Sequence, residues 1–231
     1  MNSTTVTLAT YVFTSFLCLI FFFWKTIYSH KTEKTIYILI VIECVWSVFI
    51  NSYFYFSKNF LSQKYGIIYL QSYSDWIITT SLTIVIIALF AMFDTKKNIS
   101  LIIKLILLVV SMQLTGLFAD YSKGLSKYLL YGSGFIPFAL ILYITFVTLD
   151  KISKAQHPNV FTAYKKIRLY NLSLWSLYPI FWILGPYGFS LISHTGVINT
   201  FYLLNALTKA GQYIYSAINI KAIKGGNRSI D

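Results

Sequence analysis

Acidic residues are scarce in this chain. Only seven of its 231 residues are aspartate or glutamate, and charged residues of both signs make up 11%, against roughly 25% in an ordinary soluble domain. With so little polar surface and a mean hydropathy of +0.65, the chain cannot cover a water-soluble globule. Cysteine is reduced to Cys18 and Cys44, both inside apolar runs. That excludes a disulfide framework and a cysteine-based zinc site. The three histidines, His30, His157 and His194, fall in connections, so no metal site on helix faces is expected. No catalytic set is read either, and the chain is not expected to be an enzyme. The four prolines, Pro137, Pro158, Pro179 and Pro186, all lie in the second half. The paired helix breaks of a repeated transporter are therefore missing, which argues against a seven-span transporter or receptor of that kind.

Apolar residues dominate instead, at 57%, in runs of about 20, the length that crosses about 30 Å of hydrocarbon. Seven spans are predicted, over residues 5–28, 35–57, 67–93, 99–119, 128–149, 167–190 and 197–220. The connections between them are short, with the longest running from Asp150 through Lys166. Residues 1–231 thus read as one all-α membrane protein, a seven-transmembrane-helix bundle. The first span has no basic residue before it and no cleavage motif after it, so a retained helix is expected there.

The basic residues set the orientation. With the N-terminus outside, the cytoplasmic side takes thirteen: Lys25, Lys31, Lys34, Lys96, Lys97, Lys151, Lys154, Lys165, Lys166, Arg168, Lys221, Lys224 and Arg228. The outer side takes only Lys58, Lys64, Lys123 and Lys127. This is a positive-inside pattern with a cytoplasmic C-terminus. The net charge of +12 is then mostly a topology signal directed at the lipid bilayer, and nucleic acid is not an expected partner. The stretch after Lys221 is too short for a signalling domain, so no transducer is expected, and a homo-oligomer is left open.

Lys104 lies near a span end, where its side chain can snorkel to the interface. Lys209 lies near the middle of the seventh span. A lysine at that depth costs at least about 2.5 kcal/mol on insertion scales, and such residues are functional by default. Only Glu43 and Asp75, of the seven acids, fall well inside spans, which makes Asp75 the expected anionic partner of Lys209. A buried pair is a poor stabiliser once desolvation is counted, whereas a lysine in that setting has chemical uses such as Schiff-base formation. Trp175, Tyr178 and Trp182 share one face of the sixth span with Pro179 beside them, and Trp76 follows Asp75. Together they suggest the walls of a slot for a flat apolar ligand.

These residues carry a resemblance. Trp175-Ser176-Leu177-Tyr178-Pro179-Ile180-Phe181-Trp182 resembles the sixth-span signature of microbial rhodopsins. Asp75-Trp76-Ile77-Ile78-Thr79-Thr80 looks like their third-span motif, and Asn205 to Lys209 looks like the seventh-span motif that ends in the retinal-bearing lysine. The resemblance implies all-trans-retinal on Lys209 as a protonated Schiff base with Asp75 as counterion. It further implies a pocket of Trp76, Thr79, Thr80, Met112, Gly116, Trp175, Tyr178, Pro179, Trp182 and Asn205.

Departures from the proton-pumping members bear on activity. The second counterion is Asn205, the arginine one turn outward of Asp75 is Ser72, and the inner proton donor is Ile86. The outer release carboxylates fall at Tyr187 and Val197. Loss of one negative and one positive charge together keeps the site neutral, but most of the ordered proton carriers are gone. A chloride pump is disfavoured because Asp75 is retained. A polar trail remains, with Glu43, Asn51, Ser72 and Asn205 as the expected ion pathway for monovalent cations or protons. In this the chain is most similar to the viral rhodopsin channels, so a light-gated cation channel is the leading expectation. A sensory photoreceptor and a weak light-driven proton pump are the alternatives.

Overall fold

The structure is a computed structural model that describes residues 3–29, 31–56, 65–186 and 188–227. Expectations that fall on His30, Lys58, Lys64, Tyr187 and Arg228 lie outside the described residues. The described residues fold into seven helical rods. The first four are single helices: α1 (Ser3–Ile27), α2 (Lys31–Phe56), α3 (Tyr65–Ala91) and α4 (Ile99–Tyr121). The fifth, α5 (Gly124–Lys154), contains a π-helical turn over Ile144–Leu149. The sixth is α6 (Pro158–Trp175) continued by α7 (Leu177–Leu184). The seventh is α8 (His194–Ala206), a π turn at Leu207–Gly211, and α9 (Gln212–Asn227).

Five helices, α1 to α5, are each long and apolar enough to cross a membrane. The sixth and seventh rods are not among the helices that meet that standard, being richer in polar residues such as Lys165, Lys166, Arg168, Asn205, Lys209 and Gln212. Neighbours in sequence pack side by side, and α1 closes the ring against α8. Within it α3 is the most buried span, at 61% against 22–39% for the other four. A residue projecting from α3 into the bundle is therefore shielded from both lipid and water.

Several span limits need correction. The connection predicted from Asp150 through Lys166 is nearly all helix, and only residues 155–157 interrupt it. Hydropathy reports the thickness of hydrocarbon, whereas a helix continues beyond it when its ends are capped. Here Pro158 occupies the first helical position and His157 Nδ1 accepts from the Asn159 amide at 3.2 Å, a favourable helix start. The sixth span, predicted to reach residue 190, stops at Leu184, before Gly185 and Pro186. The amides of Phe189 and Leu191 turn back onto the carbonyls of Ile183 and Leu184 at 2.7 and 2.9 Å. The seventh rod begins at His194, which is helical rather than in a connection, with Ser193 Oγ accepting from the Gly196 amide at 3.2 Å. After α3, the Lys97 ammonium donates to the carbonyls of Met92, Phe93 and Thr95. Burial lowers its proton affinity and Asp94 opposes that shift. Cationic capping of this kind suits the negative end of a helix dipole.

Candidate functional site

The π turn at Leu207–Gly211 carries Lys209 into the bundle. A π turn frees a carbonyl from the helical ladder, and here the Tyr170 hydroxyl of α6 donates to the Leu207 carbonyl at 2.6 Å. Gly211 permits that approach: a Cβ at this position would lie 1.8 Å from the Tyr170 hydroxyl oxygen.

Lys209 Nζ lies 2.7 Å from Asp75 Oδ2, with 7% and 1% of the two side chains exposed. The expected pair thus forms. Two further residues complete it. Lys209 Nζ donates to the Tyr11 hydroxyl at 2.6 Å and to Ser47 Oγ at 2.9 Å. Both hydroxyls in turn donate to Asp75, Tyr11 to Oδ2 at 3.0 Å and Ser47 to Oδ1 at 2.9 Å. A buried charge pair is tolerable when hydrogen bonds satisfy its remaining valences, and α1 and α2 supply them. Sequence reasoning missed both residues. Ser47 is one turn from Glu43 and one from Asn51, so a buried polar stripe at i, i+4, i+8 was available to find it. Tyr11 carries no such mark among 19 tyrosines.

Beside the pair, a cavity leaves about 140 Å³ accessible to the centre of a water molecule. One water needs only about 10–15 Å³ on that measure. Lys209 is on its wall, together with Trp76, Thr79, Thr80, Met112, Gly116, Trp175, Tyr178, Pro179, Trp182 and Asn205. Every expected pocket residue therefore lines one space, while Asp75 stands behind Lys209, off the wall. Asn205 Oδ1 accepts from Trp76 Nε1 and from the Tyr178 hydroxyl, both at 2.8 Å. These bonds fix two aromatic walls, and Phe201 packs against each ring at 5.3 and 5.6 Å. From α5, Tyr131, Phe135 and Phe138 also line the space. They were missed although their spacing of four and three repeats the Trp175, Tyr178, Trp182 pattern.

The expected ion-path residues divide into two groups. Towards the end of α3 that begins at Tyr65, Asn51 Nδ2 donates to Asp75 Oδ2 at 3.3 Å and Gln71 Nε2 donates to Asn51 Oδ1 at 2.8 Å. Ser72 is buried but off the cavity wall. On the other side, Glu43 is fully buried, lines the cavity and accepts from Thr83 Oγ1 at 3.0 Å. Ile86 is fully buried in the apolar core. Among the described residues no group of three or more histidine, cysteine or acidic side chains is placed to hold a metal ion.

Comparison with known proteins agrees with this architecture. Residues 2–224 match the family described as bacteriorhodopsin-like protein. Sensory rhodopsin-2 of Natronomonas pharaonis is 27% identical over 62% of this chain and 59% of its own length. A bacteriorhodopsin-II-like protein of Haloquadratum walsbyi is 31% identical over 62% of this chain and 58% of its own. The chain thus spans less than two thirds of the length of either relative. Among solved structures, the thermophilic rhodopsin from Rubrobacter xylanophilus superposes with a TM-score of 0.82, covering 95% of this chain and 96% of that one at 21% identity. That likeness is one of fold.

Proposed function

Because the chain belongs to the bacteriorhodopsin-like family, whose chromophore is retinal, we propose that it is a light-activated membrane protein carrying all-trans-retinal on Lys209, with Asp75 as counterion. The observation that carries the reading is the 2.7 Å pair of Lys209 and Asp75 at the wall of an aromatic slot. The residues fit the group. A primary amine opens onto the slot, the walls are largely apolar, and the counter-charge is already hydrogen-bonded. Retinal held there as a protonated Schiff base supplies visible absorption and a light-driven change of shape. The protein holds Lys209 Nζ charged through Asp75, steadies that carboxylate through Tyr11 and Ser47, and keeps water off the slot with Trp76, Trp175, Tyr178 and Trp182.

A passive, light-gated path for monovalent cations or protons is favoured over a pump because Ile86 occupies the inner half of α3, where an ordered donor is required. Glu43, the carboxylate on the cavity wall among the described residues, supplies a cation-attracting group. Similarity to the viral rhodopsin channels belongs to this reading, as does an orientation with the N-terminus outside, which the distribution of lysines supports. A sensory photoreceptor is the second reading, favoured by the match to sensory rhodopsin-2.

Two measurements test the proposal. Protein reconstituted with retinal should show a visible band that Lys209→Ala abolishes while the protein still folds, and a washed Lys209→Ala protein that keeps its colour would refute the attachment site. Under flashes, whole-cell current should reverse near the Nernst potential of the permeant cation. Current of one sign at all ordinary voltages would restore the pump, and a photocycle without current would favour the sensor.

A further inference from the structure

At the other end of the slot a carboxylate off the cavity wall, Asp120, touches the aromatic lining through Trp182. Lys209 is tied to Tyr11, Ser47 and Asp75 on α1, α2 and α3, so the amine end of the slot is built on that side of the bundle. The opposite end is built on α4, α5 and α7. There the Trp182 indole, which lines the cavity, stacks on Tyr131 with centroids 4.1 Å apart and planes at 10°. Its Nε1 donates to Asp120 Oδ1 at 2.6 Å. The Tyr73 hydroxyl reaches the same carboxylate, and Lys127 lies near enough to act on it electrostatically, with its ammonium 5.4 Å from the Trp182 ring. Asp120 Oδ2 is hidden from solvent. An aspartate at a helix end is ordinarily a solvated cap or a surface partner for lysine. This one is turned inward, in contact with the slot's terminal aromatic.

We propose that Asp120 is a colour-determining residue, placing negative charge at the end of the slot remote from the Lys209 amine. The inference rests on the reading that Lys209 carries retinal. Absorption by a conjugated cation moves positive charge away from the nitrogen towards the far end of the chain. An anion beside the nitrogen, Asp75, therefore stabilises the ground state more than the excited state and widens the gap. An anion at the far end, Asp120, does the reverse, because Coulomb attraction follows the charge. The two carboxylates oppose each other in setting the transition energy.

The test compares absorption maxima of purified, retinal-reconstituted variants. Asp120→Asn should shift the band to shorter wavelength, whereas Asp75→Asn should move its protonated form to longer wavelength. Asp120→Glu should stay near the wild type. Lys127→Gln, a change at a half-buried side chain that removes the offsetting cation, should shift the band to longer wavelength even if Asp120→Asn fails to assemble. In the retinal-free protein, Asp120→Asn should alter tryptophan emission, and that difference should vanish in a Trp182→Phe background. A normal wild-type band that neither Asp120→Asn nor Lys127→Gln displaces would overturn the role of Asp120 alone. A wild-type protein that takes up no retinal would overturn both this inference and the attachment reading.

Discussion

Lys209 is costly to bury, and its neighbours are arranged to meet that cost. Removing one partner of a buried pair leaves the other uncompensated, which is worth about 3–5 kcal/mol. Asp75→Asn should therefore leave a protonated Schiff base poorly supported, and Asn205 offers no second carboxylate. The deprotonated, ultraviolet-absorbing form should become prominent at neutral pH, as a spectral titration will show. If the visible band instead titrates as in the wild type, Glu43 or a bound anion is the counterion. Tyr11→Phe removes one hydroxyl that accepts from Lys209 and donates to Asp75. A hydrogen bond to a charged group is worth about 1.5–3 kcal/mol, so the variant should lose visible absorbance in the same sense but to a smaller extent at alkaline pH. An effect equal to that of Asp75→Asn would mean that Tyr11, not the carboxylate, holds the charge. The charged members of this site were legible in the sequence because a lysine or aspartate inside an apolar run stands out against its surroundings. The hydroxyl members were not, since a tyrosine or serine is ordinary in any span and acquires its role only when α1 and α2 are packed against α3.

Both π turns face α6, and α6 answers each. At Ile144–Leu149 the Thr145 carbonyl accepts from the Tyr164 hydroxyl and from Arg168 Nη1. At Leu207–Gly211 the Leu207 carbonyl accepts from Tyr170. Arg168 also pairs with Asp150 at 2.6 Å and packs over the Phe146 ring at 4.1 Å. It is thus a buried strut between α5 and α6 and not merely one of the basic residues that set the expected orientation. Arg168→Ala leaves Asp150 with only the exposed Lys154 and should cost about 3 kcal/mol. Thermal bleaching of the pigment should be faster, with little change in its absorption maximum. Gly211→Ala should act on the chromophore end instead. Its added methyl must displace Tyr170, so the visible band should broaden or shift, and a band identical to the wild type would show that the π turn is not held by that contact. None of this was legible in the sequence. Apolar runs located the seven rods, but a π turn has no composition of its own, and the caps at His157 and Ser193 extended helices beyond the hydrocarbon that hydropathy senses.

Across the whole bundle the polar side chains lie on two sides of the Lys209–Asp75 pair, with Asn51 and Gln71 on one side and Glu43 and Thr83 on the other. The pair and its hydroxyls close the space between them, so a conducting path requires that this cluster loosen when light acts on the chromophore. On the Glu43 side, Glu43 Oε2, both amide atoms of Gln212 and Ser216 Oγ are buried without a hydrogen-bond partner in the protein. Buried polar groups in that condition are ordinarily satisfied by water. On the proposed channel reading, a hydrated segment with one carboxylate would favour cations over anions and pass them down their gradient. Glu43→Gln keeps the size of the side chain and removes only its capacity for charge. The variant should reduce photocurrent several-fold while leaving the absorption band nearly in place, since Asp75 and its partners are untouched. Recording with sodium and proton gradients varied separately should also show weaker cation preference through a shifted reversal potential. Undiminished current with unchanged selectivity would remove Glu43 from the path. A large spectral change would assign it to the counterion instead.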